Sequence, residues 1–187
     1  MATGTLYSLS AIAGVIAGVC IILGALFSTL VKSSSPVGAF FNFLGALIGL
    51  FGITGIYLWQ SSQAGVFGLI AYVLLFIGLA LIACVDYSGT LISASLSMED
   101  MARLDQGTAL QIKSISGLIF LVGEILFSIS VILAGVFSSI AAILFLIGFL
   151  ATPLRQSYPI VTFIGLTLSG IGIIWWCVSL WSMAGGL

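Results

Sequence analysis

The stretch Ser114-Ile-Ser-Gly-Leu-Ile-Phe-Leu-Val-Gly-Glu-Ile-Leu-Phe-Ser-Ile-Ser-Val-Ile-Leu133 decides the fold of this chain. Its length of about 20 residues is that of a helix crossing the hydrocarbon core of a bilayer. The whole chain has 187 residues, of which 61% are hydrophobic and only 5% are charged. Because a soluble domain carries about a quarter of its residues as charged ones, the sequence predicts an all-α integral membrane protein.

Five further apolar stretches resemble the first, and they are separated by Ser-, Gln-, Gly- and Pro-rich breaks. Residues 1–187 are therefore expected to form one transmembrane domain, a bundle of six helices in two groups of three. The weakest boundary, Ala134-Gly135, is either a tight hairpin or the middle of one long helix. The six predicted spans are Tyr7–Val31, Val37–Trp59, Ala64–Val85, Ser114–Leu133, Val136–Ala151 and Ile160–Met183.

The loop of residues 86–113 joins the two predicted groups of helices. Ser97-Met-Glu-Asp100 has the pattern of a capping box, a hydroxyl followed three residues later by an acid. A short amphipathic helix at the membrane interface is predicted from there, with Met98, Met101 and Leu104 on one face. That helix either simply connects the two groups or docks a partner, because methionine-rich faces adapt to other surfaces.

All four basic residues fall on one side of the predicted bundle. Lys32 lies in the first loop, Arg103 and Lys113 in the third, and Arg155 in the fifth. Since basic residues are enriched in cytoplasmic loops, these loops are expected in the cytoplasm. Both termini are then expected outside a plasma membrane.

Small residues recur at helical spacing within the predicted spans. Apolar side chains gain little by leaving lipid for one another, so close helix contacts in membranes use small residues. The spacing predicts packing contacts within the chain, with contacts between copies as the alternative. The glycines expected at helix contacts are Gly14, Gly18, Gly45, Gly49, Gly52 and Gly117.

Glu124 and Ser128 are the candidate polar site inside the membrane. Glu124 follows Lys113 by about 16 Å of helix, half the thickness of the hydrocarbon core. A carboxylate at that depth costs several kcal/mol unless it is protonated, paired or hydrated. Glu124 is therefore expected to be neutral near pH 7 and to point into protein. It is either a hydrogen-bonding strut or a site for a proton, an ion or a ligand.

Several chemistries are excluded or disfavoured by composition. The chain has no histidine, so histidine-ligated haem or chlorophyll and serine–histidine catalysis are not expected. Its three cysteines fall in three different spans and are expected to be packing residues, with no metal site. A net charge of −1 gives no basic patch for nucleic acid. The protein is not expected to be an enzyme.

At the level of phrases, the chain resembles small bacterial multi-pass membrane proteins close to the DUF4386-type group. The phrases are Leu6-Tyr-Ser-Leu-Ser-Ala11, Gly45-Ala-Leu-Ile-Gly-Leu-Phe-Gly52, Gly55-Ile-Tyr-Leu-Trp59, Gln63-Ala-Gly-Val-Phe-Gly68 and Gly172-Ile-Ile-Trp-Trp-Cys-Val-Ser-Leu-Trp181. The resemblance implies a bacterial plasma membrane and a six-span bundle. It implies no activity and no catalytic residues.

Two functions remain open from the sequence. The first is a structural or accessory subunit that packs in the membrane lipid against other subunits, or against itself. Lipid, carotenoid or quinone are the candidate lipophilic ligands beside the small residues. The alternative is a small transporter or channel in which Glu124 is the intramembrane proton, ion or ligand site.

Overall fold

A computed structural model describes residues 2–30, 36–88, 97, 107–152 and 157–185 of the chain. These residues are almost entirely helical, as their composition predicts. Four of the helices are long and apolar enough to cross a membrane. The helices are α1 (Ala2–Leu30), α2 (Pro36–Tyr87), α3 (Gly107–Ala134), α4 (Ser139–Leu150) and α5 (Pro159–Gly185).

Helix α2 folds back on itself at Gly65. The residue has φ 56° and ψ −152°, a left-handed backbone that glycine adopts without strain. Tyr57 and Tyr72 lie on opposite sides of this point, yet their rings stack with centroids 4.4 Å apart. In a straight helix they would be separated by about 22 Å. The first arm (36–64) and the second arm (66–87) are therefore antiparallel.

The prediction of six transmembrane helices is wrong, because the described residues form five helices of which four are of spanning length. The second and third predicted spans both lie in α2. The segment Gln60-Ser-Ser-Gln63 was expected to break the helix, but it stays helical, and only Gly65 leaves helical geometry. Polar side chains do not end a helix when the backbone hydrogen bonds continue through them.

The fifth predicted span, Val136–Ala151, is also shorter than expected. Helix α4 has 12 residues, about 18 Å of helix, against about 30 Å for the hydrocarbon core. It is preceded by Gly135, whose φ of 66° ends α3 after Ala134. The boundary at Ala134-Gly135 is thus a true break between two helices.

The five helices close into one bundle and do not divide into two groups of three. Helix α1 packs against both α2 and α5, and α3 packs against both α2 and α4. The start of α1 meets the end of α5, since a Cβ on Gly4 would lie 4.0 Å from the carbonyl oxygen of Ala184. Tyr7 also contacts Trp59, six residues before Gly65, with ring centroids 4.9 Å apart. Both chain ends therefore lie at the end of the bundle that contains Gly65, here called the Gly65 end.

Glycines allow the helix backbones to approach closely. A Cβ on Gly52 would lie 2.7 Å from the Cα of Gly14, so α1 and the first arm of α2 touch through main chain. A Cβ on Gly18 would lie 2.7 Å from the carbonyl oxygen of Gly170 in α5. Gly45 is similarly close to Ile21, at 2.9 Å. These contacts have no room for a side chain.

Two of the glycines predicted at helix contacts have more space around them. A Cβ on Gly49 would be in ordinary van der Waals contact, 3.5 Å from Leu79. A Cβ on Gly117 would meet nothing within 4 Å. In α3 the close approach is made instead by Gly123, whose Cβ would meet the backbone of Leu74 and Leu75.

Several predicted features lie outside the described residues. They are most of the loop 86–113, including the amphipathic helix with Met98, Met101 and Leu104, and the basic residues Lys32, Arg103 and Arg155. The last part of that predicted loop is described, and it is helical from Gly107, where α3 begins.

We expect Gly123→Ala to destabilise the protein, because the added methyl group meets the α2 backbone, which cannot rotate away. Overpacking of this kind typically costs about 1–3 kcal/mol. The matched control is Gly117→Ala in the same helix, where the methyl group meets nothing and helix propensity improves. Thermal unfolding in detergent should show a lower midpoint for the first variant and an equal or higher midpoint for the second. Equal loss in both variants would contradict the assignment of Gly123 to a close contact.

Candidate functional site

Glu124 lies in the interior of the bundle, with 0% of its surface exposed. Neither carboxyl oxygen has a hydrogen-bond partner among the described residues. The neighbouring Gly123 packs on the second arm of α2, and Phe127, one turn further along α3, contacts Trp176 of α5 at 6.2 Å between ring centroids. The carboxyl group is therefore held inside protein, as predicted from its helical face.

Three other polar side chains are also buried and also lack a hydrogen-bond partner among the described residues. Gln60 and Ser128 are 0% exposed and Ser130 is 1% exposed. None of their side-chain nitrogen or oxygen atoms has a hydrogen-bond partner within the described ranges. We call Gln60, Glu124, Ser128 and Ser130 the polar core residues.

Five other hydroxyls in this bundle behave differently. Thr29, Thr54, Ser116, Thr167 and Ser179 each donate a hydrogen bond to the carbonyl oxygen four residues earlier, at 2.6–3.0 Å. That bond is the usual solution for a hydroxyl in an apolar helix. The hydroxyls of Ser128 and Ser130 do not make it, so their hydrogen-bonding capacity is left for another group.

The polar core residues lie between Glu124 and the Gly65 end. Gln60 precedes Gly65 by five residues, about 7 Å of helix. Ser130 faces the second arm of α2, where a Cβ on Gly68 would lie 2.9 Å from its Oγ. Ser128 stands one turn after Glu124 on the same face of α3. The four residues thus extend from the middle of the bundle toward one end.

A cavity of about 520 Å³ occupies the other half of the bundle. It touches all five helices. Its wall is mainly apolar, and five polar residues line it near the helix ends opposite Gly65. The polar lining residues are Asn42, Asp86, Ser114, Thr152 and Thr162, and the apolar wall includes Ile21, Ala46, Leu79, Gly117, Leu118, Phe120, Leu121, Phe149 and Leu166.

On α3 part of the cavity wall lies at the outer surface of the bundle. Leu118 lines it and is itself 60% exposed. Gly117, which has open space around it, faces the cavity from the same helix. Leu121 closes the cavity three residues before Glu124, so about 4.5 Å of helix separates these two residues. Glu124 therefore stands between the cavity and the rest of the polar core.

The cavity and the place of Gln60 and Ser130 in the polar core are not predicted from the sequence, whereas Glu124 and Ser128 are. Asn42 was inside a predicted span, and its amide was the signal that could have been noticed. Gln60 was read as part of a break, and Asp86 as a loop acid. Thr152 and Thr162 lie 10 residues apart across the Pro153–Pro159 segment, and only the antiparallel packing of α4 and α5 brings them to one cavity.

Other site chemistries find few residues here. Cys20 and Cys177 are buried free thiols, and Cys84 is an exposed free thiol. In the part of the chain that the structure describes, no group of three or more His, Cys, Asp or Glu side chains is placed to hold a metal ion.

Comparison of the chain with family models, with curated proteins and with solved structures finds no match. The resemblance to the DUF4386-type group therefore stays a prediction. The geometry of the cavity and of the polar core must carry the functional interpretation.

We expect Glu124→Met to leave stability unchanged or to raise it, because the carboxyl group has no partner among the described residues and methionine fills a similar volume. Removing an unsatisfied buried polar group relieves about 1–3 kcal/mol. The control is Ser169→Ala, which removes a buried hydroxyl that does donate, to the carbonyl oxygen of Phe145 at 2.8 Å. Thermal unfolding should show a loss for Ser169→Ala only. A larger loss for Glu124→Met would identify Glu124 as a structural strut.

Proposed function

We propose that this protein is a non-enzymatic integral membrane protein that holds an amphipathic small molecule in its cavity, as an accessory component of a larger membrane assembly. The cavity is the observation that carries the proposal. Its volume of about 520 Å³ lies in the range of small-molecule sites, about 300–1,000 Å³. A site with a mostly apolar wall and a few polar groups fits a ligand with an apolar body and one polar head.

The polar lining residues favour a head group that donates hydrogen bonds. Thr152 and Thr162 use their hydroxyl hydrogens on the carbonyl oxygens of Phe149 and Ala151, at 2.7 and 3.0 Å. Their oxygens can then only accept from a ligand. A quinol or another hydroxylated or amine-bearing lipid therefore suits the cavity better than a carotenoid hydrocarbon, which offers these oxygens no donor.

Access from the side of the bundle also supports a lipophilic ligand. Leu118, at the opening, is a large apolar side chain on the outer surface of α3. Such a surface faces lipid or a partner subunit, so a molecule dissolved in the bilayer can enter without crossing water. Bound lipid is the simplest occupant of this class.

Packing against partner subunits is the second part of the proposal. Large apolar side chains cover the outside of the bundle, among them Phe51, Val66 and Leu133, exposed by 64%, 75% and 73%. A surface of this kind suits lipid, other membrane subunits or a second copy of the chain. Mass spectrometry of the protein purified in mild detergent from its native membrane identifies which of these partners it binds.

A transport role is the second candidate function, and the position of Glu124 favours it. The carboxyl group lies between a cavity that suits a lipophilic ligand and polar residues that extend to the opposite end. If ligand transport were coupled to proton movement, Glu124 would have to exchange its proton with water. It would also have to change its protonation when the ligand binds.

We expect Gly117→Phe to weaken ligand binding at least tenfold, because the ring would extend into the cavity from a position with no clash at Cβ. The probe is decylubiquinol, titrated into the protein in detergent micelles and followed by quenching of tryptophan fluorescence, with empty micelles as the blank. The matched control is Gly185→Phe, a helical glycine that also has open space around it but lies at the end of α5.

Saturable binding by the wild type and by Gly185→Phe, with loss in Gly117→Phe, is the expected pattern. Equal affinity in all three proteins would place the probe elsewhere and contradict the proposal. Wild-type protein that binds neither decylubiquinol nor a long-chain alkylamine would also contradict it.

We further propose that the Gly65 end faces the outside of a bacterial plasma membrane. Lys113 lies near the start of α3, at the cavity end. The other three basic residues fall in sequence between helix ends that belong to that same end, as Leu30 and Pro36 do for Lys32. An excess of basic residues marks the cytoplasmic side.

We expect a membrane-impermeant maleimide to label Ser62→Cys in intact cells and to label Ser88→Cys only after permeabilisation. Both serines are exposed, one beside Gly65 and one just after α2. The three native cysteines are first replaced by alanine. The reverse labelling pattern would invert the proposed orientation, and labelling of both positions in intact cells would contradict the antiparallel arms.

A further inference from the structure

The polar core residues leave six side-chain atoms without partners in the described part of the chain. They are both carboxyl oxygens of Glu124, the amide nitrogen and oxygen of Gln60, and the hydroxyls of Ser128 and Ser130. Each unsatisfied buried polar group costs about 1–3 kcal/mol. Ser28 is the one other residue with such an atom within the described ranges. Leaving these six atoms without partners is therefore costly unless they bind something.

Their chemistry selects a small ligand that both donates and accepts. The amide of Gln60 offers two donors and one acceptor, and each serine hydroxyl offers one donor and two acceptors. No Lys or Arg side chain among the described residues lies at this depth to form an ion pair. Buried water typically makes about three hydrogen bonds to otherwise unsatisfied polar groups. Water matches this set of donors and acceptors.

The placement of the residues indicates which end of the bundle the bound water connects to. Ser128 lies on the same face as Glu124, one turn closer to the end of α3. Gln60 enters the core from the first arm of α2, and Ser130 lies between α3 and the second arm. Gln60 and Ser130 are each five residues from a positive-φ glycine, Gly65 or Gly135. The polar atoms thus lie on the side of Glu124 that faces the Gly65 end.

We infer that Gln60, Glu124, Ser128 and Ser130 form a proton-exchange site, in which bound water connects the Glu124 carboxyl group to the Gly65 end of the bundle. The carboxylic acid gives its proton to a bound water, and that water passes a proton to the aqueous phase at this end. The carboxylate left behind accepts hydrogen bonds from the bound water. Reprotonation from the same side restores the acid.

Other titratable groups do not take this role. On α2, Tyr57 and Tyr72 stack on each other, and the Tyr72 hydroxyl lies 3.0 Å from the Thr54 hydroxyl. On α5, Cys177 is buried against Gly14. Helix α4 carries no ionisable side chain, and Asp86 and Lys113 belong to the opposite end. Glu124 is therefore the carboxylic acid at this depth among the described residues.

This inference deepens the transport role, and it does not depend on ligand binding in the cavity. The proton reaches Glu124 from the Gly65 end, whereas the ligand enters the cavity from beside α3. The proton path and the ligand site therefore lie on different sides of the Glu124 carboxyl group. A ligand donor that reaches Glu124 past Leu121 would compete with the proton for the same oxygens.

The experiment is infrared difference spectroscopy of the reconstituted protein, recorded in H₂O and then in D₂O at neutral pH. The carbonyl stretch of a protonated carboxylic acid should appear in the wild type and disappear in Glu124→Gln, which assigns it. After transfer to D₂O the band should shift within the mixing time. In the double variant Gln60→Met with Ser128→Ala the shift should slow at least tenfold.

One control variant and one test variant make the result specific. The control, Ser28→Ala, removes a hydroxyl at the other end of the bundle that has no partner among the described residues, and it should exchange like the wild type. Gly117→Phe obstructs the cavity, so its exchange rate tests whether water enters from the cavity or from the Gly65 end. Slower exchange in Gly117→Phe would mean that water enters through the cavity and would overturn the proposed direction.

Other results would overturn the inference directly. If the carbonyl band of the wild type stays unshifted in D₂O, Glu124 does not exchange its proton with water and is a structural residue. Exchange in the double variant as fast as in the wild type would exclude Gln60 and Ser128 from the path. If the double variant lowers the thermal midpoint, the single variants Gln60→Met and Ser128→Ala are measured instead, and at least one must slow exchange. Any of these failures would leave binding of decylubiquinol in the cavity unaffected, so the two proposals fail separately.

Discussion

Close approach of helix backbones is the constraint on which the rest of this structure depends. Apolar side chains gain little free energy by moving from lipid into protein. Helices in a membrane therefore gain stability mainly from tight van der Waals packing. In this chain the tight contacts are glycine against main chain: Gly14 with Gly52, Gly18 with Gly170, and Gly123 with Leu74 and Leu75. They fix the spacing of α1, both arms of α2, α3 and α5.

The same contacts explain why polar groups and a cavity coexist in one small bundle. Glycine brings two helices together at Gly123, and Glu124 and Phe127 lie beside this contact in the interior of the bundle. Both side chains are fully buried. Where a glycine lacks a facing backbone, as at Gly117, the space remains open and becomes part of the cavity wall. Helix α3 thus lines the cavity with Gly117 and its neighbours, and it carries Glu124, Ser128 and Ser130 of the polar core further along.

Much of the fold could be predicted from the sequence, with two particular segments as exceptions. The depth and orientation of Glu124 were predicted because the apolar residues around it repeat with the period of a helix. The break at Gln60-Ser-Ser-Gln63 was placed too early because polar composition was read as a turn, whereas the turn requires the left-handed backbone of Gly65. The stretch Val136–Ala151 was read as a span although residues up to Ser138 serve the connection. Periodicity reports which face is apolar, and it does not report where a backbone reverses.

The sequence by itself determined that the chain is a helical membrane protein, and it singled out Glu124 as the one ionisable residue deep in an apolar stretch. Both follow from the cost of placing polar groups in lipid, which depends on composition and spacing alone. The tertiary structure alone decided the cavity, and it alone decided that Gln60, Ser128 and Ser130 have no hydrogen-bond partner among the described residues. A cavity is the space that packing leaves between residues distant in sequence, such as Ile21, Asn42 and Thr162. Whether a hydroxyl finds a partner likewise depends on rotamers and neighbours that no local pattern encodes.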